Sequence, residues 1–497
     1  MSITGPGSIT AANIMAVNNM NDQLNTLSEQ LSTGQAAQTY SGLGSQAGVT
    51  LALNSQLSAI NGYSNTTTTV GTTLSVAQSV LDQLDSSGST VEQTINQQGA
   101  FSLNNNGQTT TQTAAQSQLQ QILSLLNTQV GDNYIFSGSA VNQPSVASTD
   151  AILNGNGAQA GLTQVISERQ QADLGVGGLG RLTVGGAGSN VTLTQDASPF
   201  GFKLAGVNSN LTGATVTSSS PPTISLNLGS NPNDGDTVQF SLTLPDGSSQ
   251  TIALQATSAS PPGAGQFSIG ATPAATAANL QSALTGAITS LAQTALPAAS
   301  TIAAANDFFG SNPPLRVNGP PATATGLVAG TAANTVFWYT GESGSTPARQ
   351  TATAQVGPST SISYGMRASE QAISTLVANM AALAATTYSA SDPNAQASYQ
   401  ALSQKVAANL DGQPGTQSID DIEADLASAQ TTVSNATALN SQTQTTLQDM
   451  LQNIDGVNQN QIGEQILTLQ NSLSASLAVT ARMAQFSLVN YLSPTSG

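Results

Sequence analysis

Apolar residues recur at alternating spacings of four and three residues towards both ends of this 497-residue chain. One such series contains Val17, Met20, Leu24, Leu27 and Leu31. A second, interrupted only by Gly88, contains Val70, Leu74, Ala77, Leu81, Leu84, Val91 and Ile95. A third contains Ile462, Ile466, Leu469 and Leu473. A sustained 3.5-residue period is typical of helices that bury a narrow seam against another helix. The middle of the chain lacks such a series. The pattern therefore predicts a long antiparallel helical rod or coiled coil, built from both termini, with a different region inserted.

The expected fold is mainly α, with an inserted β-rich α+β middle region. Residues 1–140 form the expected N-terminal helical segment, residues 141–365 the β-rich surface region, and residues 366–497 the C-terminal helical segment. Within the middle region, the alternation from Val238 to Leu244 and the turn residues Pro245–Ser248 predict a β-hairpin. We expect one or two helical turns over Leu280–Leu296 and a strand over Val336–Tyr339.

The composition excludes several functional classes. The chain has no cysteine and no histidine, which removes thiolate and imidazole chemistry, so we expect no catalytic residue, no cofactor and no metal site. Eight basic residues against 25 acidic ones give a formal net charge of −17, and no basic cluster is present to bind nucleic acid or an anionic membrane surface. Charged residues make up only 7% of the chain, against roughly a quarter in ordinary soluble proteins. Such a surface repels its own copies weakly.

Two acidic groups could be interpreted as cation sites. Asp420, Asp421, Glu423 and Asp425 follow Ser418, and capping of a helix N-terminus explains them more simply than metal binding or acid–base catalysis. Asn233, Asp234 and Asp236 loosely resemble a calcium loop but lack its distal glutamate, so a turn between strands is the preferred interpretation.

Two further features could be interpreted as functional sites but also have a simpler structural interpretation. The glycine-rich stretch Leu174–Gly180 lacks the Gly-Lys-Ser/Thr ending of a phosphate-binding loop and is expected to be a surface loop. Arg482 lies within an apolar terminal segment, where it would either pair with a carboxylate of a neighbouring helix or subunit or be solvated.

Short motifs at both ends resemble the flagellin superfamily, and within it the hook-associated protein 3 type, the hook–filament junction proteins. Leu31–Gly34 is similar to the turn that ends the first helix in that family, and Tyr134–Ser139 is similar to the segment where junction proteins leave the rod. Phe486–Leu492 resembles the junction-type C-terminal ending. The acidic pair and basic residue that usually follow the first-helix glycine are replaced by Gln35–Thr39.

The resemblance implies a secreted structural subunit of the bacterial flagellum that is not an enzyme. It implies export through the flagellar type III apparatus without a cleaved signal peptide, in agreement with the N-terminal sequence. The implied partners are further copies in a helical ring or tube, a second hook-junction protein, flagellin and a cytoplasmic export chaperone. The residues expected to pack within and between subunits are Leu24, Leu27, Leu31, Leu74, Leu81, Leu84, Ile466, Leu469, Leu473, Phe486, Leu488 and Tyr491.

Two other functions fit the same residues. A filament flagellin would share both termini. A secreted adhesive or carbohydrate-binding protein would use Phe337, Trp338 and Tyr339 as a stacking platform, although a buried strand explains these aromatic residues more simply.

Overall fold

The computed structural model describes residues 6–97, 100–219, 222–412 and 414–491, and the side chains of residues 11–483 and Gln485 within them. The helices are α1 (Pro6–Thr33), α2 (Ala47–Asn96), α3 (Thr110–Leu126), α4 (Thr149–Asn154), α5 (Leu162–Leu174), α6 (Pro273–Gln293), α7 (Ala295–Phe309), α8 (Gln371–Ala385), α9 (Ala395–Leu410), α10 (Ile419–Asp455) and α11 (Gln459–Tyr491). Long helices at both ends enclose a β-rich centre, which confirms the predicted fold class.

The strands are short and lie mostly between α5 and α6. They are β1 (Gln129–Val130), β2 (Asn133–Tyr134), β3 (Leu182–Gly185), β4 (Asn190–Gln195), β5 (Lys203–Ser209), β6 (Ala214–Ser219), β7 (Thr223–Leu228), β8 (Thr237–Thr243), β9 (Ser249–Thr257), β10 (Gln266–Ser268), β11 (Leu315–Val317), β12 (Leu327–Ala329), β13 (Thr353–Gln355) and β14 (Ser361–Ser363). Three 3₁₀ segments cover Tyr40–Gln46, Pro321–Thr323 and Ala348–Thr351.

The chain divides into two compact units. Unit 1 contains the residues up to Thr69, the segment Gln355–Ser361 and the residues from Thr432 onward; unit 2 contains Val70–Ala354 and Ile362–Thr431. Unit 1 thus combines both chain ends.

Unit 1 consists of antiparallel helix pairs. The Asn13 amide contacts the Met483 sulfur at 3.6 Å near one end of the α1–α11 pair, and the Val457 amide donates to the Gly34 carbonyl at 3.1 Å near the other. Gly34 ends α1 in the left-handed region at φ 71°, as a C′ glycine does. The other pair joins α2 to α10 through the buried side chains of Leu53, Ile60 and Leu447.

The helical part of unit 2 is built around α8. Its Ile373, Val377, Met380 and Leu383 are fully buried, because α3, α7 and α9 all pack against this helix. A helix that is apolar on nearly every side is stable only when neighbours surround it.

The β-rich part of unit 2 contains two four-stranded sheets, ordered β3-β4-β7-β6 and β10-β9-β8-β5. Helix α6 packs against strands of both sheets, and Leu280, Leu284 and Ile288 on this helix are fully buried in their shared core. The predicted hairpin is present: β8 and β9 pair antiparallel from Thr237–Gln255 to Thr243–Ser249, and the Leu244 amide donates to the Ser248 carbonyl.

Two local predictions for the middle region are wrong. Leu280–Leu296 is not one or two turns: α6 alone has 21 residues, because Leu280, Leu284 and Ile288 recur every four residues and all find the sheet core. Val336–Tyr339 is not a strand, since its pairing is limited to an isolated bridge between Tyr339 and Val146. Trp338 is instead held by its indole N–H, which donates to the Phe309 carbonyl at 3.0 Å.

A buried glutamine joins the start of α3 to the end of α8. The Gln112 side-chain oxygen accepts from the Thr109 amide at 3.0 Å, and the Gln112 backbone amide donates to the Thr109 hydroxyl oxygen, which completes a capping box. The Gln112 side-chain nitrogen donates to the carbonyls of Leu383 and Thr386 at 3.1 and 2.8 Å. One side chain therefore satisfies backbone groups of two helix ends.

We expect Gln112→Leu to destabilise unit 2 by about 3 kcal/mol, because it leaves a buried backbone N–H and two carbonyls without this partner. Urea unfolding followed by circular dichroism would measure the loss. Gln120→Leu, at an exposed position of the same helix, is the matched control and should change stability little. Equal effects of both variants would contradict the assigned role.

Candidate functional site

The seam between α1 and α11 in unit 1 is only half-buried. Val17, Met20, Leu24 and Leu27 on α1 are partly exposed, as are Ile466, Leu469 and Leu473 on α11. Leu31 is 37% exposed. The heptad spacing therefore selected the residues that face the partner helix, but two helices alone cannot cover them.

The other predicted packing residues divide into two groups. Leu74, Leu81 and Leu84 on α2 are fully buried within unit 2, so in this structure they contribute to the core rather than to a free surface. The side chains of Phe486, Leu488 and Tyr491 lie outside the described residues, and their assembly role stays a prediction.

Unit 1 also exposes large apolar side chains, most of which lie outside its seam. Of the fourteen exposed large hydrophobic residues among the described side chains, eleven belong to this unit: Ile14, Met15, Leu31, Tyr40, Val49, Leu51, Leu439, Met450, Leu467, Leu477 and Val479. Exposed apolar area concentrated in one part of a molecule is typical of an interaction surface. We call this set the outward apolar residues.

Heptad analysis missed most of this set. Ile14 and Met15 follow the seam position Asn13, Leu467 follows Ile466, and Leu477 follows Ser476. The available signal was the presence of apolar side chains next to seam positions, where a two-helix coiled coil would place polar ones.

Unit 1 carries few charges. Its charged residues are Asp22, Glu29, Asp449, Asp455, Glu464 and Arg482. Arg482 is exposed on α11, whereas six of the other seven basic residues form ion pairs and Lys203 donates to the carbonyls of Ser198 and Phe200. A sparsely charged surface with exposed apolar groups favours contact with further protein.

Backbone contacts fix the end of unit 1 where α1 stops and α11 begins. Gln35 and Gly456 form an antiparallel bridge, and the Ala36 amide donates to the Asp455 carbonyl at 2.6 Å. The Thr50 hydroxyl donates to the Asp455 carboxylate at 3.2 Å. These bonds set the register of both helix pairs, and therefore the spacing of the outward apolar residues.

The segment Tyr134–Ser139 belongs to unit 2 and is held in place by an ion pair. The Glu342 carboxylate lies 3.0 Å from the Arg367 guanidinium and accepts from the Ser139 amide at 3.1 Å, an interaction that lowers the pKa of Glu342. Gly138 adopts φ 65°, and a Cβ there would lie 2.8 Å from the Glu342 carboxylate. The local fold therefore requires glycine at this position.

The acidic groups that resemble cation sites have structural roles. Ser418 and Asp421 form a reciprocal cap at the start of α10, with bonds of 2.8 and 3.1 Å. Asp236 accepts from the amides of Thr212 and Asn233, and these bonds lower its pKa. Among the described residues, no group of three or more acidic side chains is arranged to hold a metal ion.

The aromatic cluster is not a surface platform. Trp338 is only 2% exposed and packs edge-on against Phe309, with ring centroids 5.2 Å apart. Tyr339 is also buried, and burial raises its pKa to about 12. The structure therefore gives these residues the simpler role of core packing.

Comparison with known proteins agrees with this organisation. Residues 8–141 match the family model of the bacterial flagellin N-terminal helical region. The match supports membership of the flagellin superfamily. The match runs from α1 through α3 and β2, just over a quarter of the chain. No curated protein matches this chain.

The flagellin match supplies the general function. Flagellins self-assemble into filaments, and the match supports a role for this chain as a structural subunit of the bacterial flagellum. The family is structural rather than enzymatic. In the described part of the chain, no helix combines the length and hydropathy that a membrane crossing requires.

We expect Leu467→Gln to weaken self-association at least about tenfold without lowering the stability of the monomer, because Leu467 is 62% exposed and its loss of apolar area is felt only between copies. Sedimentation over a concentration series would measure association, and thermal unfolding would check stability. Asn471→Gln, which places the same side chain at an exposed polar position of α11, is the control. Unchanged association of Leu467→Gln would remove this residue from the surface.

Like charges meet where α2 approaches α10. Burial and the carboxylates of Asp82, Asp420 and Asp85 raise the pKa of Glu423 above 4.5. A carboxyl whose pKa is raised by folding destabilises the folded state as pH rises through the raised pKa. Glu423→Gln should therefore stabilise the protein at pH 7, by about 0.5 kcal/mol after allowance for solvent screening.

The advantage of Glu423→Gln should shrink as the pH falls through the raised pKa and disappear below about pH 3, where the wild-type carboxyl is protonated in both states. Unfolding free energies across this range would measure it. Asp449→Asn, which removes an exposed carboxylate elsewhere on α10, controls for the change in net charge. A pH-independent difference would contradict the electrostatic explanation.

Proposed function

We propose that this chain is a hook–filament junction protein of the bacterial flagellum. In this proposal, the helices of unit 1 associate with unit 1 of neighbouring copies in a ring or tube. One end of the ring contacts a second junction protein on the hook side, and the other end contacts flagellin. The β-rich region lies on the outside.

The surface of unit 1 is the observation that carries the assembly part of the proposal. Its seam is half-covered, eleven large apolar side chains are exposed, and few charges oppose contact between copies. Neighbouring subunits related by a screw operation would cover the same residues repeatedly, because heterologous contacts continue from copy to copy. Burial of that area would supply the free energy of assembly.

The choice of junction over filament subunit is supported by the motifs. Tyr134–Ser139 resembles the junction-type exit from the rod, and the structure holds this segment against Glu342 and Arg367. Phe486–Leu492 resembles the junction-type ending. Gln35–Thr39, which replaces the usual charged residues, favours neither type and keeps filament flagellin as the alternative.

Export follows from the same proposal. A structural subunit outside the cell must leave the cytoplasm, and we propose the flagellar type III route with a cytoplasmic chaperone that covers the C-terminal helix. The lack of cysteine is compatible with passage as an unfolded chain, since no disulfide could form on the way.

Complementation would test the junction role. Expressed in a bacterium that lacks its own junction protein, this chain should restore filaments on bare hooks and reduce the flagellin lost to the medium. Expressed in a strain that lacks flagellin, it should not form filaments. Light and electron microscopy of the cells, with assay of secreted protein, would measure both outcomes.

The reverse pattern, with long filaments in the flagellin-deficient strain, would assign the chain as a filament flagellin. Leu467→Gln provides an internal control in both strains. Because this variant should assemble poorly, it should act in the same strain as the wild-type chain but at a lower level. Absence of function in both strains, with the protein secreted, would contradict both roles.

A further inference from the structure

The two sheets have four edge strands, β3, β5, β6 and β10. Of these, β6 lacks the features that usually prevent an edge strand from pairing with another chain. Strand β3 has four residues and β10 has three, so both edges are short. Strand β5 begins with Lys203 and has a register shift between Leu204 and Gly206. Short length, charge and bulges are the devices by which proteins prevent edge pairing. Strand β6 has six residues and pairs with β7 without a break.

The composition of β6 favours pairing. Ala214–Ser219 reads ATVTSS, with two β-branched threonines, a valine, no proline and no charge. Strands β3, β4 and β7 of the same sheet also contain no charged residue. In a chain with net charge −17, this sheet is a neutral patch that a second copy can approach without local repulsion.

Hydrogen-bonded and non-hydrogen-bonded residue pairs alternate along β6 and β7, and this alternation identifies the backbone N–H and C=O groups of β6 that do not bond to β7. The Gly229 amide donates to the Gly213 carbonyl, so the hydrogen-bonded pairs that follow are Thr215–Asn227 and Thr217–Ser225. Val216 and Ser218 must then direct their backbone N–H and C=O groups away from β7. Strand β6 ends its sheet, and no other described strand pairs with it there.

We propose that β6 pairs antiparallel with β6 of a second copy of this chain, around a two-fold axis at Thr217. Val216 of each copy then lies opposite Ser218 of the other, and the four free N–H groups donate to the four free carbonyls. The two sheets become one of eight strands.

The spacing of the free groups makes this edge complementary to itself. Val216 and Ser218 direct their free backbone groups outward on either side of Thr217, so a rotation of 180° brings Val216 of one copy opposite Ser218 of the other. The exposed side chains of Thr215, Thr217 and Ser219 lie on one face of the strand. Two threonines opposite each other at the axis form a favourable cross-strand pair.

This contact is independent of the proposed junction role. A two-fold contact closes after two copies, whereas the packing proposed for unit 1 continues along a screw axis. The β6 contact would therefore link two unassembled subunits, or two separate assemblies, through their β-rich regions.

Disulfide trapping tests the register, because the wild-type chain contains no cysteine. In a non-hydrogen-bonded antiparallel pair the Cα atoms are about 4.5 Å apart, which a disulfide can bridge. Thr217→Cys alone should therefore cross-link to a dimer under oxidised glutathione. Thr215→Cys alone should not, since its equivalent in the other copy is about 13 Å away along the strand.

A mixed experiment makes the register specific. Residue 215 lies opposite residue 219 of the other copy, so an equimolar mixture of Thr215→Cys and Ser219→Cys proteins should cross-link only between the two variants. We expect the dimer yield of Thr217→Cys and of this mixture to exceed that of each single outer variant at least about tenfold. Similar yields from all variants would indicate random collision and overturn the proposal.

A charge variant tests the contact without cross-linking. Thr217→Lys places two cations opposite each other at the axis and should weaken dimerisation at least about tenfold in sedimentation experiments, while Thr215→Lys should weaken it less. Both positions are exposed, so thermal unfolding should stay unchanged. No dimer from Thr217→Cys at any concentration would reject the β6 contact, whereas loss of assembly in Leu467→Gln would leave it unaffected.

Discussion

The half-covered seam between α1 and α11 is the contact on which the rest of unit 1 depends. The two helices share a heptad register that the bonds around Gly34 and Val457 fix at one end. Two helices can bury only one narrow stripe of each other. The apolar residues outside that stripe, such as Ile14 and Leu467, remain exposed, and they are the residues that the proposed assembly would cover.

In unit 2, the apolar residues of the helices are covered by other helices of the same chain. Helix α8 is apolar around nearly its whole circumference, yet its side chains are buried because α3, α5, α7 and α9 pack around it. Leu74, Leu81 and Leu84 are fully buried by packing within the same unit. Similar apolar series therefore have different roles in the two units. The number of neighbours that each helix finds within its own unit decides which role it has.

Sequence periodicity predicted where the helices lie better than it predicted which of their faces would be buried by other elements. The positions of α1, α2 and α10, the stop at Gly34 and the hairpin of β8 and β9 follow from local patterns. The length of α6 did not, because Leu280, Leu284 and Ile288 gain their burial from two sheets that are distant in sequence. Most of the outward apolar residues were missed because heptad analysis identifies only the residues that face one partner helix.

The single cation of unit 1, Arg482, has a consequence for the thermodynamics of assembly. Contacts between copies that contain so few charges depend mainly on removal of apolar surface from water, which is driven by solvent entropy and weakens on cooling. Salt weakens exposed ion pairs by screening their charges, but the sparsely charged surface of unit 1 can form few ion pairs between copies. A polymer held in this way loosens in the cold and tolerates high ionic strength.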